Sequence, residues 1–496
     1  MNRQRVIKTT TLRNMLLLCI GFTSLCWLFV VYQPYFNIPA VLFLSLALVL
    51  VAEAQRESSD LFSPVRIYII VWFGTIGVSL LRLSGLQQEW TSYTWLVIAT
   101  SILCYIGGAF TGLSPIITNK NINLRQLIRH WESPRDWSIK RLVRATIALF
   151  LLSLAGFALE MHINRGIPLL MPNPDMARQY FGLCGIHLLT ISFRDVLILI
   201  VIYILVQGPR LRHMRTWPIT IVTCIIALIS LLCLFATTNR GDILFTFIIA
   251  LVIYHYFKKP LKLKQIITAV FLFLLIFIGI GLLREKAYEK YRLYRYAQMN
   301  IPIKYSWLTG LYTYVAMNFE NLQNLIHEVP HFTYGAHSLQ PVLALTRLKN
   351  LVSPEFLSNI RSTLHYPLFK TGTYLTSLYA DFGFVGIATF PFIFGWLNGF
   401  IYCKMLTERK TIYVLLYAFL MLAVILSFFS FFFSRLNFLF NAFVLYLVHL
   451  YCKRLKSTTS KGRPQQTASR TRSAANWVLG RKGCRRRWKL NRSTRY

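Results

Sequence analysis

Residues 217–257 read WPITIVTCIIALISLLCLFA, then TTN, then RGDILFTFIIALVIYHYF. Two apolar runs therefore stand on either side of a short polar break at 237–239. A helix needs about 20 apolar residues to cross the hydrocarbon core of a bilayer. The stretch predicts two membrane-spanning helices joined by a tight turn.

The same alternation of apolar run and polar break recurs along most of the chain. Charged residues make up only 14% of the 496 residues, and the mean hydropathy is +0.50, whereas a soluble protein of this size carries more charge. We therefore predict an all-α polytopic membrane domain over residues 1–452 with about 12 transmembrane helices. The predicted spans lie near 14–32, 36–52, 63–83, 93–113, 141–160, 190–207, 217–236, 240–257, 264–283, 376–402, 411–430 and 435–452.

The charges in the polar breaks predict the orientation of this domain. Lys and Arg collect in the cytoplasmic loops of membrane proteins, and here basic breaks alternate with breaks that contain neither residue. The pattern predicts that both termini lie in the cytoplasm and that loops 161–189 and 284–375 lie outside, which in a bacterial inner-membrane protein is the periplasm. The basic breaks are the N-terminus, 114–140, 208–216, 258–264 and 403–410, and the others are 33–35, 84–92 and 237–239.

The formal net charge of +37 comes in large part from the C-terminal tail, because 15 of the 54 Lys and Arg residues lie from Lys453 onward. We predict that 453–496 is a disordered cytoplasmic tail that contacts anionic membrane lipids. Nucleic-acid binding is disfavoured because the tail contains no recognisable binding module. The nine cysteines include no CxxC pair, so neither a disulfide framework nor a zinc site is indicated.

Two arginines at predicted outer breaks are candidates for binding an anion. Arg178 follows a proline-rich turn at 165–176, and its planar guanidinium group suits a phosphate or diphosphate. Arg240 opens a span directly after Thr and Asn residues that favour helix N-caps, so a positive helix end points outward beside it. The alternatives are an Arg178 that only holds a surface loop and an Asp242 that pairs with Arg240.

The long loop 284–375 begins with a basic and tyrosine-rich segment. Its tyrosines recur every three residues and share one face of a continuing helix. Tyrosines at this depth are either membrane-interface anchors or a surface on which sugars stack. The residues concerned are Tyr288, Tyr291 and Tyr294, with Arg292 and Arg295 as a second pair of candidate anion ligands.

Two further side chains are candidates for proton transfer. His337 has an ordinary pKa near neutrality, as a general base requires, although a lone His is more often structural. Asp381 lies inside an otherwise apolar run, where a carboxyl group is costly and therefore functional or paired with an outer Arg. All Asp residues are isolated, so no Asp-x-Asp motif is present to hold a divalent cation, and we expect no metal or other cofactor.

These stretches, taken in order, resemble the O-antigen polymerase type of oligosaccharide repeat-unit polymerase. The resemblance covers roughly residues 60–400, and the family often has Ser or Gly where Asn239 stands. The motifs are Ser63-Pro64, Gly166-Ile167-Pro168-Leu169-Leu170, Ala177-Arg178, Asn239-Arg240-Gly241, Tyr334-Gly335 and Tyr379-Ala380-Asp381-Phe382-Gly383 with Gly386.

The resemblance implies a GT-C-like membrane fold and a metal-independent glycosyl transfer at the periplasmic face. A glycan on undecaprenyl pyrophosphate moves onto the next lipid-linked repeat unit, and a chain-length regulator is a possible partner. The departing pyrophosphate needs positive charge, which Arg178, Arg240, Arg292 and Arg295 are expected to supply. The acceptor hydroxyl needs a base, for which His337 or Asp381 is the candidate.

Three other classes of protein remain as alternatives. A ligase that moves glycan onto the lipid A core has a similar span count and a similar outer loop. A transporter or lipid flippase also fits twelve spans, but the two halves of this chain show no repeat. A receptor or scaffold that acts through its basic tail is the last alternative.

Overall fold

In the computed structural model of the protein, most of the described residues are helical. It describes residues 37–53, 60–118, 134, 136–171, 174, 177, 185–207, 217–258, 261, 264–269, 271, 272, 275, 279, 287–329, 331–346, 348, 369 and 371–453, and the side chains of all of these except 37, 207, 217 and 287–290.

The helices follow the apolar runs of the sequence. They are α1 (Asn37–Glu53), α2 (Pro64–Ser79), α3 (Ser92–Thr118), α4 (Ile139–Ile163), α5 (Ile186–Ile191), α6 (Phe193–Gln207), α7 (Trp217–Ala236), α8 (Arg240–Phe257), α9 (Ala287–Tyr296), α10 (Thr309–Glu328), α11 (Gln340–Leu345), α12 (Tyr374–Glu408), α13 (Thr411–Ile425) and α14 (Leu436–Cys452). Among the described residues, extended pairing is limited to the isolated bridges Ser84–Met299 and Trp137–Lys453.

Six helical segments in the described part are long and apolar enough to cross a membrane, and four shorter apolar helices accompany them. Together these ten coincide with ten of the predicted spans. The multi-pass, all-helical class is therefore confirmed. The total of about 12 stays a prediction, because 14–32 lies outside the described residues and 264–283 lies mostly outside them. The GT-C-like arrangement also stays a prediction.

Helices α3 and α12 pack closely against each other. Each helix has two glycines four residues apart, Gly108 and Gly112 on α3 and Gly395 and Gly399 on α12. A Cβ atom on Gly108 would lie 1.9 Å from the carbonyl oxygen of Phe392. Small residues at this spacing let two backbones approach closely, as is common in membrane helix pairs.

Hydrogen bonds inside the core connect α2 and α3 to the start of α12. The Tyr374 hydroxyl lies 2.9 Å from the Tyr68 hydroxyl and 2.9 Å from the Ser101 hydroxyl. All three side chains are buried, so each would lose stability without a polar partner. This network fixes the beginning of α12, which carries Asp381.

Polar breaks that were predicted to share a side of the membrane contact one another. At one end of the bundle, the Asp60 carboxylate lies 3.1 Å from His255 Nε2 and 2.7 Å from the Tyr402 hydroxyl. At the same end the Trp137 indole donates to His449 Nδ1 at 2.8 Å. All five residues belong to the predicted cytoplasmic ends of their segments.

The predicted outer breaks contact one another at the opposite end. The backbone N–H of Gly85 donates to the Gln298 carbonyl at 2.8 Å, and the Trp90 indole donates to Glu320 Oε1 at 2.9 Å. Loop 84–92 therefore packs on the long excursion, whose helix α10 buries one side against α2. The helical bundle thus separates its polar residues into two ends, one of which carries the candidate site.

Candidate functional site

The polar break at 237–239 sets the start of α8. The Asn239 side-chain oxygen accepts a hydrogen bond from the Gly241 backbone N–H at 3.2 Å, so Asn239 is the N-cap and Arg240 is the first helical residue. Helix N-termini carry partial positive charge and backbone N–H groups without helical partners. The half-buried Arg240 adds a full positive charge to this helix end.

A buried ion pair lies one turn into the same helix. Arg194 Nη1 of α6 lies 2.9 Å from Asp242 Oδ1, and only 6% of Arg194 and 4% of Asp242 is exposed. The second oxygen of Asp242 accepts from Asn239 Nδ2 at 2.7 Å. Asp242 is therefore held by Arg194 and Asn239. Arg194 Nη2 is buried and, among the described residues, makes no hydrogen bond, so one donor of its fork is available.

A third arginine reaches this region from the break before α14. Arg435 donates to the Ser430 hydroxyl at 2.8 Å and lies 5.0 Å above the Phe432 ring. The Phe432 ring packs 5.1 Å from that of Phe245, over which the Arg194 guanidinium lies at 5.9 Å. Two guanidinium groups therefore flank one pair of phenylalanine rings.

The charges of these groups interact directly. The Asp242 carboxylate and the Arg194 guanidinium both lie within electrostatic reach of Arg435. Two arginines near one carboxylate repel each other unless further negative charge is present. We call Arg194, Arg240, Arg435 and Asp242 the arginine cluster, and its chemistry suits a small anion with several oxygens.

A second carboxyl group lies behind the arginine cluster. Asp195 of α6 is fully buried, within electrostatic reach of Arg194 and beside Asn441 of α14. Asp195 follows Arg194 directly in sequence, so its side chain points about 100° away around the helix. It therefore belongs to the contact between α6 and α14 and leaves the side of Arg194 that faces Asp242 unobstructed.

Asp381 organises the loop that precedes α11. Its Oδ1 accepts from the Thr333 hydroxyl at 2.5 Å and from the His337 backbone N–H at 3.1 Å, while Oδ2 accepts from the Ser338 backbone N–H at 2.7 Å. The backbone of Tyr334 also donates to the Asp381 carbonyl at 3.0 Å. Both carboxylate oxygens are occupied by the chain itself, which is the geometry of a residue that positions a loop.

The conformation of α12 makes this contact possible. Gly383 has φ +59° and ψ −143°, and the helix kinks there directly after Asp381. A side chain at Gly383 would be strained by its φ and would bring a Cβ atom within 2.6 Å of the Phe332 ring. The Asp381–Gly383 motif is thus explained by the docking of loop 332–338 on a kinked helix.

His337 lies in the docked loop with its ring half-buried. Burial lowers the pKa of His337 below its usual value, and the nearby Asp381 carboxylate raises it by a smaller amount. Its Nε2 atom is buried and, within the described residues, makes no hydrogen bond. A catalytic role for His337 and Asp381 stays a prediction, although the described contacts of Asp381 are structural.

The basic, tyrosine-rich segment forms α9. Arg292 and Arg295 are exposed, and the Arg295 guanidinium lies 4.6 Å above the Tyr291 ring. The Tyr294 hydroxyl donates to the Ile301 carbonyl. The Tyr294 ring packs against a small apolar core that includes residues of α2 and α10. Their predicted roles in binding diphosphate and sugar stay predictions. The Tyr288 side chain lies outside the described residues.

The proposed ligand Arg178 also lies outside the described residues. Within the described ranges, no group of three or more His, Cys, Asp and Glu side chains is placed to hold a metal ion. The predicted independence from a metal stays a prediction.

Sequence reasoning did not include two members of the arginine cluster. Arg194 was visible as an intramembrane charge near a span end, and Arg435 begins the last predicted span. Their position in the sequence could have identified them. Each is a basic residue at the predicted outer end of a span, where Lys and Arg are uncommon. The ion pair between Arg194 and Asp242 connects two different helices, and no spacing rule predicts such a contact.

The fold and the arginine cluster define a polytopic helical membrane protein with a positively charged site at one end of its bundle. The family model of the O-antigen polymerases matches residues 60–428. No curated protein and no solved structure matches the chain. Because the matched residues are more than half of the sequence, the chain belongs to the O-antigen polymerase family.

Membership defines the activity in outline: a membrane polymerase of the glycosyltransferase type joins lipid-linked oligosaccharide repeat units into O-antigen. Arg194, Arg240, His337 and Asp381 lie within the matched residues, and Arg435 follows them in sequence.

Proposed function

We propose that the protein polymerises repeat units carried on undecaprenyl pyrophosphate at the periplasmic face of the bacterial inner membrane. The arginine cluster receives the diphosphate as it leaves the donor glycan. The observation that carries this proposal is the convergence of Arg194 of α6 and Arg435 on the ring pair Phe245 and Phe432 beside Asp242, with one guanidinium N–H group of Arg194 buried and available.

The reaction develops negative charge on the bridging oxygen as the bond to the anomeric carbon breaks. Groups that are already oriented toward that charge stabilise the transition state more than mobile groups do. Asp242 orients Arg194, and Phe432 supports the guanidinium group of Arg435. The N-terminus of α8 contributes backbone N–H groups beside Arg240.

The arginine cluster lies beside apolar helices that lipid tails can contact, which favours a substrate with a lipid anchor and an anionic head. The exposed large hydrophobic residues of α7, such as Ile225, Leu228 and Leu232, are consistent with a lipid-facing surface. A lipid-linked substrate can therefore reach a polar site at the end of the bundle from the bilayer.

The test is complementation of a strain from which the gene is deleted. We expect Arg435→Ala and Arg240→Ala to leave protein in the membrane and to yield surface glycan with a single repeat unit. Arg144→Ala is the matched control, because Arg144 is an exposed arginine of α4 near the opposite end of the bundle. Full-length polymer from both variants would contradict the proposal that Arg435 and Arg240 bind the leaving diphosphate.

The same strain distinguishes the polymerase from a ligase. Loss of a ligase leaves no repeat unit on the lipid A core, whereas loss of a polymerase leaves one. Removing residues 457–496 tests the role of the basic tail, and we expect the truncated protein to support full-length polymer.

A further inference from the structure

A second buried polar pair lies where α4 ends and α5 begins. Glu160 is only 2% exposed, and its Oε1 lies 3.0 Å from Nδ1 of His187. The two helices touch closely because a Cβ atom on Gly156 would come within 2.7 Å of Leu189. The pair is therefore built by the packing of α5 against α4.

The position of the Glu160 carboxylate determines which ring nitrogen of His187 carries the proton. A carboxylate that faces Nδ1 favours the tautomer in which Nδ1 carries the proton, so Nε2 is left with a lone pair. The His187 side chain is 18% exposed, which leaves the ring partly accessible. Glu160 Oε2 is buried without a hydrogen bond among the described residues, so the carboxylate is poorly compensated and interacts strongly with a positive charge on His187.

His187 and Arg194 lie on one apolar segment, Ile186–Val206. Ser192 separates α5 from α6 in a near-helical conformation with φ −66° and ψ −7°, and Arg194 follows His187 by seven residues. Seven residues are close to two helical turns, so both side chains point in nearly the same direction, about 10 Å apart along the axis. His187 is nearer the predicted outer surface, and Arg194 is deeper.

We propose that His187 is the general base of the polymerisation reaction and that Glu160 is its positioning residue. This inference rests on the proposed function, since it assigns a proton acceptor to the same glycosyl transfer. It differs from the assignment of the base to His337 or Asp381.

The proposed step forms one bond, breaks one bond and moves one proton. The acceptor hydroxyl oxygen forms a bond to the anomeric carbon of the donor while the bond from that carbon to the diphosphate oxygen breaks. The electron pair of the broken bond leaves with the diphosphate, which the arginine cluster binds. The hydroxyl proton passes to Nε2 of His187, Glu160 stabilises the imidazolium that results, and the proton then passes to solvent.

The described contacts favour His187 as the general base over His337 and Asp381. Both carboxylate oxygens of Asp381 accept hydrogen bonds from the chain, and Nε2 of His337 is buried. Burial also lowers the pKa of His337, which makes that ring a weaker proton acceptor. His187 has instead a buried carboxylate on one nitrogen and partial exposure of its ring.

The test uses the purified full chain with a repeat unit linked to a lipid diphosphate. We expect His187→Gln to lower kcat about 10²- to 10⁴-fold, the usual range for loss of a general base, with little change in KM for the donor. Glu160→Gln should lower kcat by less than His187→Gln does and leave KM for the donor unchanged, because the imidazolium that forms during transfer loses its stabilising carboxylate. His162→Ala is the matched control, since His162 is an exposed histidine on α4, the helix that carries Glu160.

The outcomes separate this inference from the proposed function. If the wild-type chain makes no polymer from the diphosphate-linked donor, the proposed function fails. If the wild-type chain is active and His187→Gln keeps its kcat, only the assignment of the base is overturned. A wild-type kcat in Glu160→Gln overturns the positioning role, because a purely structural Glu160 would change the amount of folded protein and not the rate per folded molecule.

Discussion

Arg194 Nη1 lies 2.9 Å from Asp242 Oδ1 in a pair that connects α6 to α8 beneath the surface of the bundle. A buried ion pair is costly to assemble, and replacing it with apolar residues often leaves stability unchanged or increases it. This pair therefore needs another explanation than stability alone. Under the proposed function, Asp242 holds the Arg194 guanidinium group in the orientation that receives the leaving diphosphate.

Breaking the pair and replacing it should have opposite effects on stability. We expect Arg194→Ala to destabilise the protein by about 3–5 kcal/mol, because the buried Asp242 carboxylate is left without its charged partner. The double variant Arg194→Met with Asp242→Leu should recover much of that loss and still fail to make polymer. Thermal unfolding in detergent and surface-glycan length measure the two effects separately. Full-length polymer from the double variant would show that the pair is structural only.

Arg435 should depend on the shape of its side chain as well as on its charge. Arg435→Lys keeps the positive charge but loses the planar group above Phe432 and the paired N–H donors. Loss of one charged hydrogen bond is worth about 1.5–3 kcal/mol, so we expect polymerisation to slow by about 10- to 100-fold. In vitro turnover measures this change, with Arg144→Lys as the control. Wild-type turnover in Arg435→Lys would reduce the role of Arg435 to charge alone.

Sequence patterns predicted the helical part of this fold well because the bilayer restricts the choice. Apolar runs of span length have few alternatives to a helix in lipid, and ten of the predicted spans coincide with apolar helices in the described part. The turn at Asn239 and Arg240 was also predictable, since an N-cap is a local feature.

The contacts that assemble the site depend on packing between distant segments. Arg194 meets Asp242 across 48 residues, and Glu160 meets His187 across 27. A single sequence gives the positions of these residues along their helices but not the rotation of one helix against another. The loop clamped by Asp381 was missed for the same reason, because Thr333 and Ser338 lie more than 40 residues before it.

Glu320 should make the stability of the outer end depend on pH. Burial raises the pKa of this carboxyl group, and the hydrogen bond from the Trp90 indole lowers it by less. A folded-state pKa above the unfolded value means that the folded chain binds the proton more tightly. Stability is then greatest below the usual pKa of Glu and is lost as the pH rises through the raised value.

The measurement is the melting temperature of the purified protein across mildly acidic pH. We expect wild-type stability to fall with rising pH and Glu320→Gln to show a flatter dependence, because the amide carries no charge. Glu328→Gln is a control on the same helix, since Glu328 is at the exposed end of α10. Equal slopes for wild type and Glu320→Gln would contradict the assignment to Glu320.

The kink at Gly383 should be required for the loop that Asp381 holds. Gly383→Ala introduces a side chain at φ +59° and a Cβ atom that would lie 2.6 Å from the Phe332 ring. We expect a loss of about 1–2 kcal/mol from the backbone conformation, with the steric clash adding to it. Adding Phe332→Ala removes the clash but not the backbone strain. The double variant should therefore reverse only part of the decrease in melting temperature and in polymer length that Gly383→Ala causes. Full recovery would mean that the clash is the whole effect, and no loss in Gly383→Ala would mean that α12 tolerates a regular helix at Asp381.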